Sequence, residues 1–160
     1  MNNFNIFLRD SMTPLHQIEH NLYLGNMTAA NDENILRANG ISCIVQCLES
    51  RNIVTSYPFI SYHYVTVNDV STENIVRFIP QAISFIHRSL KAGCRVLVHC
   101  AAGVSRSSSV VIAYLMGKYR ISFEEAKQRV KSKRQCVCPN IGFEQQLKSL
   151  KLGDLRACLN

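Results

Sequence analysis

Apolar and polar positions along the 160 residues follow two periods, one near two and one near 3.6, and they trade places along the chain. Ile18 to Gly25, with Leu22, Tyr23 and Leu24 before the glycine, predicts a short strand and turn. Thr28 or Asn31 then caps a helix reaching Ala38, stopped by Asn39 and Gly40. ISCIVQCL, Ile41 to Leu48, is a near-continuous apolar run, the pattern of a strand buried on both faces. Arg51 to Pro58 reads as a connector. Phe59 to Val67 reads as a strand with Ile60, Tyr62, Tyr64 and Thr66 on one face, ending in the polar loop Asn68, Asp69, Val70.

Helical spacing resumes at Ile75 and runs through Ile79, Ala82, Ile83, Ile86 and Leu90, with Pro80 in the first turn and Gly93 at the close. Cys94 to Cys100 is the next strand. The helix opening at Arg106 carries Val110, Val111, Ala113, Tyr114 and Leu115 and is apolar around much of its girth. Ser122 and Glu125 form a capping box for a helix to about Lys133, and Pro139 and Asn140 precede a last helix with Phe143, Leu147 and Leu150. Residues 1–15 form a lead-in whose Phe4, Ile6, Phe7 and Leu8 make one apolar turn before Pro14, docking on the body or on a second copy. Strands separated by helices imply an α/β fold, one sheet covered on both faces.

Length and composition suit one globular domain, with no repeat or low-complexity segment. Eighteen Lys and Arg against 11 Asp and Glu give a net charge of +7, which favours acidic or phosphorylated partners and keeps nucleic acid as a rival. The densest basic patch, Lys127, Arg129, Lys131, Lys133 and Arg134, reads as a solvated helix face. The seven cysteines are an odd number without zinc-site or disulfide spacing, Cys136 and Cys138 reading as structural, so a reducing compartment, cytoplasm or nucleus, is expected. No signal peptide or membrane span is expected; Asn2 does not fit a myristoylation pattern, nor Cys158, third from the end, a prenylation pattern.

The chemistry concentrates in VLVHCAAGVSRSSS, Val96 to Ser109: an apolar strand, a small-residue loop and a helix start. Peptide N–H groups of Ala101, Ala102, Gly103, Val104 and Ser105 can point inward, the helix N-terminus adds partial positive charge, and Arg106 adds a guanidinium fork for two phosphate oxygens. Such a loop holds a dianion and keeps a thiol at its base, Cys100, as a nucleophilic thiolate. The bland alternatives are a buried structural cysteine and a surface ion pair. Ser107 can offer its hydroxyl to the sulfur and also cap the helix. His99 can brace the loop backbone, or be a satisfied core histidine.

HCAAGVSRS at 99–107 matches the signature HCxxGxSRS at every fixed place, and the chain resembles the dual-specificity branch of the cysteine-based protein tyrosine phosphatases, particularly its small members. LYLGN at 22–26, AYLM at 113–116 and PNIGFEQQL at 139–147 extend the resemblance over roughly residues 16–152. It implies a phosphatase domain at about 16–155 with a central mixed, largely parallel sheet of about five strands, helices on both faces, and a phosphocysteine intermediate. It also implies Asp69 as the general acid, otherwise a turn-capping carboxylate, and Asn140 as a brace for the phosphate loop, otherwise a helix N-cap. The tyrosine-recognition loop of the larger enzymes has no counterpart, which implies a shallow site for phosphotyrosine and phosphoserine or phosphothreonine. Phosphorylated proteins, signalling kinases among them, are the expected partners, with neither metal nor other cofactor required. RNA 5′-triphosphates are a second substrate class, and a silent phosphoprotein-binding module is a third reading. Cys47 sits where it could pair with an oxidised Cys100, against the simpler reading of a core cysteine.

Overall fold

The computed structural model describes residues 2–160, arranged as α1 (Asn3–Met12), β1 (Leu15–Glu19), β2 (Leu22–Gly25), α2 (Met27–Asn31), α3 (Glu33–Ala38), β3 (Ile41–Leu48), β4 (Ser61–Thr66), α4 (Ile79–Lys91), β5 (Arg95–His99), α5 (Arg106–Tyr119), α6 (Phe123–Lys133), α7 (Ile141–Lys148) and α8 (Leu152–Ala157). The five strands form one sheet in the order β1-β2-β5-β3-β4. Only the β1–β2 pair is antiparallel, so the sheet is mixed and largely parallel.

Successive residues of each inner strand face opposite sides, and both sides are covered. Leu22 and Leu24 of β2, Cys43, Val45 and Cys47 of β3, and Val96 and Val98 of β5 join the larger core, which includes α4, α5 and α6. Tyr23, Ile44 and Leu97, from the same strands, join a smaller core with Leu36 of α3 and Ala29 of α2. α5 is buried from Arg106 to Gly117, as its all-round apolar character implied. Gly117 permits α8 to lie against it, since a Cβ there would stand 3.0 Å from the Leu155 Cβ.

Most predicted elements form, and the differences are local. Ile18 to Gly25 is not one strand but the end of β1 and all of β2, joined at Asn21, whose φ of 61° supplies the reversal. The predicted helix to Ala38 is two short helices, capped by Asn26 (accepting from Ala29 N at 3.2 Å) and Asp32 (accepting from Asn34 N and Ile35 N), not by Thr28 or Asn31. α8 follows the helix expected to be last. The lead-in forms the ten-residue α1, which docks on the body: buried Asp10 accepts a 2.6 Å bond from Gln135 N, just beyond α6. The capping box of α6 forms as read, Ser122 Oγ accepting from Glu125 N and Glu125 Oε2 from Ser122 N.

The C-terminal ends of the parallel strands β5, β3 and β4 lie side by side. The loops that leave them carry Cys100, Glu49 and Asp69, and open α/β sheets place ligands at this edge.

Candidate active site

β5 ends at His99, and residues 100–105 make a loop before α5. All five carbonyls from Ala101 to Ser105 are bonded from outside the loop or from the helix behind it. Ala101 O accepts from Met27 N (3.1 Å), Ala102 O and Gly103 O from the Arg134 guanidinium (3.0 Å each), Val104 O from Cys138 N (2.9 Å) and Ser105 O from Ser109 N (3.0 Å). A trans peptide holds its C=O and N–H antiparallel, so the N–H groups of Ala102 to Arg106 turn to the other, concave side. The Gly103 N–H shows the result by donating to Cys100 Sγ at 3.3 Å. Gly103 takes φ 67°, and a Cβ there would meet Gly25 O at 2.5 Å and Arg134 Nη2 at 2.8 Å, so only glycine fits.

Cys100 lies at the base, 3% exposed, and its sulfur also accepts the Ser107 hydroxyl at 3.1 Å. Ser107 does not cap α5: the N-cap position is Ser105, which makes no capping bond through its side chain, and its Oγ accepts instead from Asn140 N at 2.9 Å. His99 is fully buried, with Nδ1 3.3 Å from Cys100 O and Nε2 without a partner. Burial lowers its pKa to about 4, so the ring is neutral near pH 7. Beneath the site Cys47 is fully buried in the core, where burial, and secondarily Cys100, hold its thiol well above the ordinary range.

Arg106 extends over the loop and donates from Nη1 to Glu49 Oε2 at 2.6 Å and to Val67 O at 3.4 Å, while its buried Nε has no protein partner. The Glu49 carboxyl is held below its ordinary pKa by its own backbone N–H and then by Arg106. Gln46 shapes that turn, its Nε2 donating to Ser50 O and Arg51 O. The guanidinium is thereby fixed before any anion arrives.

Asp69 stands exposed on the loop after β4, and Oδ1 accepts from Asn140 Nδ2 at 2.9 Å. Asn140 fills both roles raised from the sequence. Its Oδ1 caps α7 by accepting from Phe143 N, and its backbone N–H braces Ser105, so one residue ties Asp69 to the loop after β5. Gln146 clamps the same loop further on, Oε1 accepting from Ile75 N (3.0 Å) and Nε2 donating to Glu73 O (2.9 Å). Gly142 lets the loop sit directly on α7, where a Cβ would fall 1.8 Å from Ser71 O.

The structure thus gathers Cys100, Ser107, Arg106, His99 and Asn140 around the loop, with Asp69 reached through Asn140. Sequence reasoning missed Glu49, Gln146 and Arg134. The basic pattern predicts a solvated face for Arg134 with its neighbours, yet it is fully buried, unlike the exposed Arg129, Lys131 and Lys133. The signal available was its position past the last turn of α6, where the chain leaves the helix. No group of three or more His, Cys, Asp or Glu residues is placed to hold a metal among the described residues.

Residues 22–151 match the family model described as "Dual specificity phosphatase, catalytic domain". The chain is similar to dual specificity protein phosphatase 22-B of Danio rerio (36% identical over 145 residues, 89% of this chain and 76% of that one) and to dual specificity protein phosphatase 1 of Arabidopsis thaliana (37% over 143 residues, 89% and 71%). Among solved structures, that of DUSP15 superposes with a TM-score of 0.85 at 32% identity, covering 91% of this chain and 94% of that one. A human tyrosine phosphatase-like serine/threonine/tyrosine-interacting protein superposes with a TM-score of 0.78 at 34% identity, covering 84% and 93%.

Proposed function

The chain belongs to the dual-specificity phosphatase family, and from that premise we propose that its protein phosphatase activity runs through Cys100, Arg106, Asp69 and Ser107. One observation carries the assignment: donors from Gly103 and Ser107 converge on the Cys100 sulfur at the floor of a loop whose carbonyls all turn away. The N–H groups of Ala102 to Arg106 and the Arg106 fork bind the three non-bridging phosphate oxygens and take up the charge that develops there.

Cys100 Sγ attacks phosphorus in line; the S–P bond forms as the bond to the leaving oxygen breaks, and Asp69 gives that oxygen its proton. The Asp69 carboxylate then takes a proton from water, which attacks the phosphocysteine, releasing phosphate and restoring the thiolate. The Ser107 hydroxyl donates to that departing sulfur. His99 supports the loop by lying against the Cys100 carbonyl. The substrates are phosphoproteins; phosphorylated signalling kinases are one class that fits a basic chain, and cytoplasm or nucleus fits its thiol chemistry.

Phosphate release from phosphotyrosine and phosphothreonine peptides, with triphosphate-ended RNA in parallel, tests the assignment. Cys100→Ser is expected to abolish turnover, and Asp69→Asn to lower kcat by about 100-fold. Full activity of either variant, or turnover confined to the RNA, would refute it.

A further inference from the structure

Arg134 is fully buried, yet no carboxylate is among the groups it bonds, which include the Cys136 thiol. Nε donates to Gly103 O (3.0 Å), Nη2 to Ala102 O (3.0 Å), and Nη1 to Thr13 O (3.0 Å) and His16 Nδ1 (2.9 Å). A core that needed only volume here would take a methionine or leucine, since a buried cation bonded to neutral groups is costly to desolvate. What the guanidinium adds is direction. Its planar fork grips two consecutive carbonyls on the convex side of the phosphate loop, which lysine, a single point donor, cannot do.

Resting on the phosphatase reading, we propose that Arg134 is a positioning residue for phosphate binding, holding the Ala102 and Gly103 carbonyls outward so that the N–H groups of Gly103 and Val104 face the bound phosphate. Each of those N–H groups belongs to the same planar peptide as a carbonyl that Arg134 holds, so the two orientations are inseparable. The positive charge behind the carbonyls also polarises both peptides in the sense that strengthens their N–H groups as donors to an anion. The fit is close, Nη2 lying 2.8 Å from where a Gly103 Cβ would be.

The same side chain joins the N-terminal segment to the site. Nη1 reaches Thr13 and His16, Asn26 Nδ2 donates to Ser11 O and Thr13 O, and the neighbouring Gln135 N–H is taken by Asp10. The lead-in is therefore part of the support of the phosphate loop, reaching it through the Arg134 guanidinium and, by way of Asn26 and Met27, through the Ala101 carbonyl.

The full chain tests this by two readouts, steady-state turnover of a phosphotyrosine peptide and calorimetric binding of inorganic phosphate, which needs no turnover. Arg134→Met is expected to raise KM and the phosphate Kd by about tenfold or more, because displacing two donors weakens every complex that carries a phosphoryl group. Arg134→Lys is expected to fall between, with its circular dichroism spectrum unchanged. Should the Met variant fail to fold, the Lys variant decides. Lower kcat with unchanged KM and unchanged phosphate Kd in a folded variant would mean mere loss of active fraction and would overturn the proposal. A wild-type chain that binds phosphate but does not turn over the peptide would count against the phosphatase reading instead, leaving the phosphate Kd values of the variants to judge Arg134.

Discussion

At the scale of single residues, His99 couples the site to pH. Its ring is neutral when folded, with a pKa lowered from 6.5 to about 4 by burial, whereas the unfolded chain protonates near the ordinary value. The unfolded state therefore binds more protons between those values, and stability falls as pH drops from 6.5 toward 4, by up to about 3 kcal/mol. Urea unfolding between pH 7 and 4.5 checks this. The midpoint is expected to decline with acid in the wild type and to decline less in a folded His99→Gln variant; parallel curves would assign the loss to other groups. His16, His63 and His87 are also lowered by burial and act in the same direction, so the decline is blunted rather than removed. The grouping of Cys100, Gly103, Arg106 and Ser107 was legible because a loop between strand and helix keeps its side chains adjacent in sequence. Glu49, 57 positions from Arg106, was not, because nothing local tells a loop carboxylate that it will meet a guanidinium.

At the scale of elements, α7 sets the place of the loop that carries Asp69. Asn140 holds Asp69, Gln146 takes both a donor and an acceptor of that loop, and Gly142 removes the side chain that would block their approach. On the proposed reading of Asp69 as proton donor, these contacts serve the acid and not the phosphate, so their loss is expected to show in kcat. Gln146→Ala is expected to lower kcat by roughly tenfold with KM changed less than about twofold. Measurement on a peptide with a good leaving group completes the test, since the defect should shrink when the leaving oxygen needs no proton. An equal defect on both substrates would argue against it. The motif containing Asn140 and Gln146 was visible in the sequence, but only packing showed that its glutamine bonds the loop that follows Asp69. Element boundaries failed where local signals were ambiguous: the split at Asp32 replaces one helix with two, and the turn at Asn21 makes a hairpin of one predicted strand.

At the scale of the whole molecule, the net charge of +7 acts on encounter more than on chemistry. Attraction of this kind is screened beyond about 8 Å at physiological ionic strength. Raising salt from 0.05 to 0.5 M is accordingly expected to lower kcat/KM for an acidic phosphopeptide by roughly threefold or more and to leave kcat nearly unchanged, which stopped-flow or initial-rate assays can resolve. A fall in kcat alone would point to salt acting within the site.

The amino-acid order by itself determined the nucleophilic loop, the alternation of strands and helices, and the all-round burial of α5, because each rests on contacts between near neighbours or on a period within one element. Tertiary structure alone decided what surrounds that loop. Arg134 looked like one more charge on a basic helix until the chain's exit from α6 turned it beneath Ala102 and Gly103, 31 positions from the Gly103 carbonyl that it holds. The physical reason is range: periodicity says which face of an element is buried, whereas the partner of a buried polar group depends on how distant elements are brought together.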